Sequence, residues 1–329
     1  MQVGTRCDTM KNIASYYGVN GKKLQRHYKH QVSGYKQWEQ LIHAQEYLIF
    51  PENITEHISI DEVSLSKGEL YTIVTNKNSK AQNKKSVIAI INGTAAKTIQ
   101  EVLEKIPVEK RNLVKEITMD MAPNMALASR NSFANSTAVI DRFHVVRLVM
   151  DAVQHLRTNL RWKAMDAENE AIKKAKSEGK KYQPEILANE DTLKELLVRS
   201  KYLLYKFEEQ WTPSQAKRAA ILFEKYPQLK QAYKLAQSFR ILYKLVKRED
   251  AIIKFKEWKQ KAGELKIDEF NTVVNSLEHH LENILNFFNN RNTNANAESF
   301  NSKIKNFRAN LRGVTDVKFF LFRLHKLFA

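Results

Sequence analysis

The feature that most constrains this chain is a strand-like segment with an acidic residue at its centre. Residues 57–65 have the sequence HISIDEVSL, and side chains alternate along a strand, so Ile58 and Ile60 share one face and Asp61 lies on the other. An ionised carboxylate inside an apolar strand is costly unless a neighbouring group compensates its charge. The segment therefore predicts a salt-bridged structural aspartate, a misassigned strand end, or one member of a functional acidic cluster.

The order of predicted elements indicates a mixed α/β fold. After Pro51 the sequence predicts three strands joined by short loops, then a helix, a strand, a helix and a strand. This β-β-β-α-β-α-β order predicts an RNase H-like mixed five-stranded sheet with flanking helices. The strands are predicted at residues 57–65, 69–76, 86–92, 114–120 and 136–141, and the helices at residues 95–106 and 123–133.

Four domain segments follow from these patterns. Residues 1–50 are predicted to form a small helical module, and residues 51–145 the first part of the RNase H-like core. Residues 146–290 have helical patterns throughout and predict a large all-α insertion. Residues 291–329 are predicted to complete the core with a helix from Ala295 to about Arg308, whose apolar stripe contains Phe300, Ile304 and Phe307.

Three acids are predicted to meet in this fold. Asp120 is the last residue of the predicted strand 114–120, and Asp61 is in the middle of the predicted strand 57–65. These two strands are neighbours in an RNase H-like sheet. Glu298 stands near the start of the predicted C-terminal helix. Three adjacent carboxylates could not all stay ionised unaided, and Mg²⁺, which prefers oxygen ligands, removes the conflict. The sequence thus predicts a site for two Mg²⁺ or Mn²⁺ ions, about 3.5–4 Å apart as in two-metal enzymes.

The charge of the chain favours a nucleic-acid partner. The 329 residues include 54 Lys and Arg against 36 Asp and Glu, a formal net charge of +18. Such an excess suits a polyanion, and no apolar run approaches the roughly 20 residues that a membrane span needs. The single cysteine, Cys7, excludes an internal disulfide and a cysteine-cluster zinc site, and a cytoplasmic setting is the default expectation.

The first 45 residues have the layout of a helix-turn-helix. A helix is predicted from Met10 to Tyr16, a turn at residues 18–20, and a basic helix from Lys22 to His30. Lys22, Lys23 and Arg26 are the predicted DNA contacts on the second helix. The alternative is an ordinary helical hairpin with a solvated basic face, which is also the interpretation favoured for the lysine-rich run at residues 173–181.

Taken together, four motifs resemble those of the DDE transposases of bacterial insertion sequences, and most closely those of the ISL3 type. The resemblance covers roughly residues 50–329, and the motifs occur in the expected order. They are residues 60–62 (IDE) with Lys67-Gly68, residues 119–124 (MDMAPN), residues 140–145 (IDRFHV) and residues 296–305 (NAESFNSKIK).

The resemblance implies a function and roles for particular residues. It implies that Asp61, Asp120 and Glu298 are the catalytic, metal-binding triad of an endonuclease that cleaves transposon ends and transfers the strands into target DNA. It implies terminal inverted repeats and target DNA as double-stranded partners, a homo-oligomer that brings two ends together, and a bacterial, nucleoid-associated location. Residues 141–144 are similar to an Asp/Cys-x-x-His motif, in which His144 either contacts the scissile phosphate or fixes a local turn.

Further candidate DNA contacts lie in the helical regions. Trp211 precedes a predicted helix start at Thr212-Pro213 and either stacks on a base near the DNA end or packs in a core. Lys305, Arg308 and Arg312 either contact phosphates or serve solubility.

One departure from the family leaves alternatives open. Related transposases often begin with a cysteine-rich zinc module, whereas about 50 residues with one cysteine precede the core here. Either the helical hairpin suffices for end recognition, or a separate polypeptide supplies the missing part, or the chain is truncated and inactive. A structure-selective RNase H-like nuclease and a truncated or domesticated DNA-binding protein without activity are the alternative functions.

Overall fold

The structure is a computed structural model that describes residues 7–66, 68–78, 85–291 and 295–329, with the side chains of residues 65, 66 and 295–298 outside the description. The chain forms two compact units. Residues 1–141 together with residues 290–329 form the first unit, and residues 142–289 form the second.

A mixed sheet organises the first unit. Within the described residues it has six strands in the spatial order β1-β4-β3-β2-β5-β6: β1 (Tyr47–Ile49), β2 (His57–Ser66), β3 (Glu69–Asn76), β4 (Val87–Asn92), β5 (Glu116–Met119) and β6 (Thr137–Ile140). Strands β2, β3 and β4 form an antiparallel meander, while β5 is parallel to both β2 and β6. The predicted meander and the predicted pairing of the two Asp-containing strands are confirmed.

The prediction of a five-stranded sheet is wrong, because β1 adds a sixth strand inside the segment predicted to be helical. Tyr47, Leu48 and Ile49 pair antiparallel with residues 89–91 of β4 and form an edge of the sheet. A strand of three residues is too short for the alternation of apolar and polar residues to identify it. Its partner strand, and not its own sequence pattern, determines its conformation.

The helices predicted at residues 10–16, 22–30, 95–106, 123–133 and 295–308 are present, with ends within about three residues. Bounds were not predicted for most of the described α-helices. In chain order they are α1 (Met10–Tyr16), α2 (Gly21–His27), α3 (Ala96–Leu103), α4 (Val108–Arg111), α5 (Pro123–Ser132), α6 (Arg142–Ser177), α7 (Leu193–Arg199), α8 (Pro213–Lys225), α9 (Pro227–Leu242), α10 (Arg248–Leu265), α11 (Asp268–His279), α12 (Leu281–Leu285), α13 (Phe287–Asn290), α14 (Ala295–Asn310) and α15 (Val317–Phe328). None of the helices in the described ranges is long and apolar enough to cross a membrane.

The C-terminal helices cover one face of the sheet. The predicted apolar stripe of α14 is buried, and its members Phe300, Ile304 and Phe307 belong to the same hydrophobic cluster as side chains of β2 and β3. Burial of each such side chain contributes about 1.5–3 kcal/mol. The cluster also contains α15 and the N-terminal segment, through residues that include Met10, Ile13, Tyr28, Tyr35, Trp38, Phe319, Phe320 and Phe322.

The second unit is helical. Residues 142–289, all of which the structure describes, contain helices and loops and begin with the 36-residue helix α6. Thr212 caps α8 as its sequence predicts: its side chain accepts the backbone N–H of Gln215, and the Gln215 side chain accepts the N–H of Thr212. Local capping chemistry therefore determines where this helix begins.

Candidate active site

Asp61 lies in the middle of β2 and accepts hydrogen bonds on both carboxylate oxygens. Its Oδ1 accepts the backbone N–H of Glu62 at 2.8 Å, and its Oδ2 accepts Nδ2 of Asn301 at 2.6 Å. The side chain is half-buried. Asn301 belongs to α14, so the carboxylate joins a central strand to a helix that is 240 residues away in the chain.

Asp120 lies one residue beyond the end of β5. Its Oδ1 accepts the backbone N–H of Ala122 at 2.8 Å. This bond closes a turn that leads directly into α5. Ser59 of β2 is paired with Thr118 of β5. Because β2 and β5 are parallel, the same register two residues further along puts Asp61 and Asp120 level with each other.

Glu62 is a third acid in this region. It was not among the predicted site residues. Burial raises the pKa of its carboxyl group, the negative charges of Asp120 and Asp61 raise it further, and a hydrogen bond with Asn124 opposes the rise. Glu62 therefore lies close enough to both predicted catalytic aspartates for their charges to raise its pKa. The available signal was its place directly after Asp61 in the IDE motif.

Glu298, the third predicted catalytic acid, lies on α14, but its side chain is outside the described residues. The helix itself is bonded to β2 at two points. Asn301 donates to Asp61, and Nη1 of Arg308 donates to the carbonyl oxygen of Ser64 at 3.1 Å. Position 298 precedes Asn301 by about one helical turn. The participation of Glu298 in the site remains a prediction.

The described residues fit a divalent metal in the type of donor atom that they supply. No group of three or more His, Cys, Asp or Glu side chains among them is arranged to hold a metal ion. Asp61 and Asp120 nevertheless supply carboxylate oxygens, the ligands that Mg²⁺ and Mn²⁺ prefer. Glu298, whose side chain is outside the described residues, is the predicted third protein ligand.

A buried cation, Lys77, lies one residue beyond the end of β3 and contacts β5 two residues before Asp120. Nζ of Lys77 donates to Oγ1 of Thr118 at 2.6 Å and lies 3.5 Å from Oε1 of Glu116. Burial lowers the pKa of Lys77, and the nearby carboxylates of Glu116 and Asp141 oppose the change. Nδ2 of Asn290 donates to Oε2 of Glu116 at 3.1 Å. No local sequence pattern points to this network, because its members are far apart in the chain.

Two predicted site residues lie in the second unit. His144 is half-buried in the first turn of α6, edge-on to the ring of Phe143. Trp211 is half-buried, donates from Nε1 to the carbonyl oxygen of Leu203 at 2.8 Å, and packs its ring near those of Phe223 and Tyr233. These contacts give Trp211 a structural role, and its stacking on DNA remains a prediction.

The predicted phosphate contacts differ in their surroundings. Lys22, Lys23 and Arg26 are exposed on α2, and Lys305 and Arg312 are exposed at the C-terminal side of the first unit. Arg308 is half-buried because its guanidinium is bonded to the backbone of β2. Contact of any of them with DNA remains a prediction.

Comparison with known proteins identifies the family. No curated protein and no solved structure showed significant similarity to the chain. A model of the ISL3-type DDE transposase family, described as "Transposase", matches residues 58–324, which include β2, β5, the helical second unit and α14. The match spans most of the chain and confirms the resemblance found in the motifs. The chain belongs to the ISL3-type family of DDE transposases.

Proposed function

We propose that this protein is a metal-dependent DNA transposase that cleaves the ends of an insertion sequence and joins the freed 3′ ends to target DNA. The observation that carries the proposal is the hydrogen bond from Asn301 to Asp61. It fixes α14, the helix of Glu298, against the strand of one predicted catalytic aspartate. Asp120 lies one residue beyond β5, where the register of the parallel pair β2 and β5, extended by two residues, brings it level with Asp61.

Distances along the chain support this docking of α14. Seven residues separate Asn301 from Arg308, a rise of about 10.5 Å in a helix. Their acceptors Asp61 and Ser64 are three residues apart, or about 10 Å along a strand. The two lengths agree, so α14 runs alongside β2 in the same direction. This arrangement and the sheet order are consistent with the RNase H-like core that we propose for the first unit.

In the proposed mechanism Asp61, Asp120 and Glu298 would hold the metal. Bound divalent ions activate an attacking oxygen and stabilise a leaving oxygen in an in-line displacement at phosphorus. The protein's contribution is orientation: the N–H of Glu62 and the amide of Asn301 fix the carboxylate of Asp61, and the N–H of Ala122 fixes that of Asp120. Water attacks first, and the freed 3′-hydroxyl then attacks the target strand.

DNA binding is proposed to rest on the basic surface of the chain. The formal net charge of +18 favours a polyanion. Lys22, Lys23 and Arg26 on α2 are proposed to contact phosphates at the terminal repeats, with Lys305 and Arg312 as further contacts. Two ends must meet for transposition, so we propose that the protein acts as a homo-oligomer on DNA.

The test is cleavage of DNA that carries the ends of the protein's own element. Asp61→Asn, Asp120→Asn and Glu298→Gln should each abolish Mg²⁺-dependent strand cleavage and leave DNA binding nearly intact. Glu101→Gln, a change at an exposed acid on α3, is the matched control and should cleave normally. Full cleavage by all three variants would refute the assignment. Products joined to an unrelated plasmid separate a transposase from a structure-selective nuclease, which would release cut ends only.

A further inference from the structure

Asn301 is a buried polar residue beside the apolar stripe of α14. The residue is 6% exposed, and its neighbours on the helix, Phe300 and Ile304, belong to the hydrophobic cluster. Burial of an amide is unfavourable unless its hydrogen bonds are made. Its Nδ2 donates to a carboxylate at 2.6 Å, a charge-assisted bond that is stronger than one between neutral groups. The position therefore serves a specific partner, Asp61.

The N–H of Glu62 and the amide of Asn301 reach Asp61 from different parts of the fold. The N–H of Glu62 is part of the strand itself and contacts Oδ1, whereas the amide of Asn301 arrives on α14 and contacts Oδ2. Two donors on two oxygens fix the plane of a carboxylate. An Arg or Lys in place of Asn301 would also donate, but its positive charge would compete with a metal cation for the same oxygens. A neutral amide orients the carboxylate without adding a positive charge beside it.

We propose that Asn301 is a positioning residue for Asp61 and couples the docking of α14 on β2 to the orientation of the carboxylate that would hold the metal. The inference rests on the proposed function. Outer hydrogen-bond partners of metal ligands change metal affinity by about 10- to 100-fold when they are removed. Asn301 would act in this way on Asp61, and its bond would form only when the helix of Glu298 is in place.

The experiment uses the full chain with Asn301→Ala and Asn301→Leu. The leucine is close to asparagine in size, so it keeps the buried volume filled if the alanine variant is unstable. Asn306→Ala, at an exposed position of α14, is the matched control. Three quantities are measured: the dissociation constant for Mn²⁺ by titration without DNA, hydrogen exchange of the amides of residues 299–310 without metal, and the Mg²⁺ concentration that gives half-maximal cleavage.

We expect both Asn301 variants to bind Mn²⁺ at least about tenfold more weakly, to exchange the α14 amides faster, and to need about tenfold more Mg²⁺. Their affinity for end DNA should stay within twofold of the unmodified protein, and Asn306→Ala should match it in every measurement. Unchanged Mn²⁺ affinity and Mg²⁺ dependence in both variants, with Asp61→Asn inactive, would overturn the inference and leave the proposed function intact. Normal cleavage by Asp61→Asn would instead overturn the proposed function.

Discussion

Lys77 and Glu116 form a buried ion pair next to the candidate active site, with 3.5 Å between Nζ and Oε1 and side chains that are 6% and 5% exposed. Lys77 directly follows β3 and Glu116 begins β5, and β2 lies between these two strands in the sheet, so the pair spans the strand of Asp61. Thr118 and Asn290 supply further hydrogen bonds. The charges therefore lie in a fully bonded network, which is the condition under which a buried pair is tolerated.

Removal of one partner of this pair should destabilise the first unit strongly. Lys77→Met would leave the carboxylate of Glu116 buried without its cation, at a cost of about 3–5 kcal/mol in the free energy of unfolding, measured by urea denaturation. Lys115→Ala removes a comparable pair with Glu56 at 2.6 Å, but both of its side chains are at least half exposed. That variant should unfold at the same urea concentration as the unmodified protein. Equal effects of the two changes would contradict the prediction.

His325 should make the first unit sensitive to acid. Burial among aromatic side chains, with smaller contributions from Lys326 and Lys85, lowers its pKa to about 4. A histidine whose pKa is lowered in the folded state stays neutral while the unfolded chain takes up the proton. Stability is therefore complete above about pH 6.5 and falls by about 3 kcal/mol as the pH is lowered to 4.

The measurement is a series of thermal unfolding curves between pH 7 and pH 4. His325→Phe should flatten the decline, because phenylalanine cannot be protonated. His27→Phe, at an exposed position of α2, should keep the slope of the unmodified protein. A decline that is equally steep in His325→Phe would show that other groups cause it.

A side chain at position 21 should lower the stability of the protein, because α1 and α2 approach closely at Gly21. A Cβ atom at position 21 would lie 3.0 Å from the backbone Cα of Lys11, and a backbone atom cannot move aside as a side chain does. Gly21→Ala should therefore lower stability by about 1 kcal/mol or more. Gly263→Ala in α10 meets no atom within 4 Å and should raise stability by about 0.5–1 kcal/mol, since alanine favours helix. Calorimetry of both variants checks the opposite signs.

The basic face of α2 should determine the salt dependence of DNA binding. Combined replacement of Lys22, Lys23 and Arg26 by alanine should reduce the slope of log affinity against log salt by about 0.9 for each phosphate contact that is lost. Replacement of Lys173, Lys174 and Lys176 removes the same charge from an exposed part of α6 and should change the slope less. Equal slopes in the two triple variants would assign the effect to overall charge. Fluorescence anisotropy with end DNA at four salt concentrations gives both slopes.

Local sequence patterns predicted the parts of the fold that depend on neighbouring residues. The meander, the capped start of α8 and the apolar stripe of α14 each repeat within a short segment, so periodicity and capping signals identify them. The pairing of the strands of Asp61 and Asp120 followed from the order of elements. The short strand β1 was missed because its three residues follow their partner strand rather than a pattern of their own.

The hydrogen-bond partners within the candidate site could not be predicted in this way. Asn301 and Asp61 are 240 residues apart, and Lys77 and Thr118 are 41 apart. Such pairs depend on how a helix packs on the sheet. The residue spacing within a single helix or strand contains no information about that packing. Glu62 was overlooked for a related reason. In an ideal strand Glu62 points to the face opposite that of Asp61, so it is not expected at the same site. The negative charge of Asp120 nevertheless raises the pKa of the Glu62 carboxyl group.

The bond between Arg308 and Ser64 has a consequence for synthesis of the protein, because 244 residues separate its ends. A ribosome that adds about 5–20 residues per second needs on the order of 10–50 seconds to make that stretch. Throughout this interval the nascent sheet lacks the cover that Phe300, Ile304 and Phe307 later provide over Val63, Tyr71 and Ile73. An apolar surface that stays exposed for this time is a binding site for chaperones. A messenger RNA truncated before its last 40 codons would encode a product that keeps this surface exposed and is prone to aggregate.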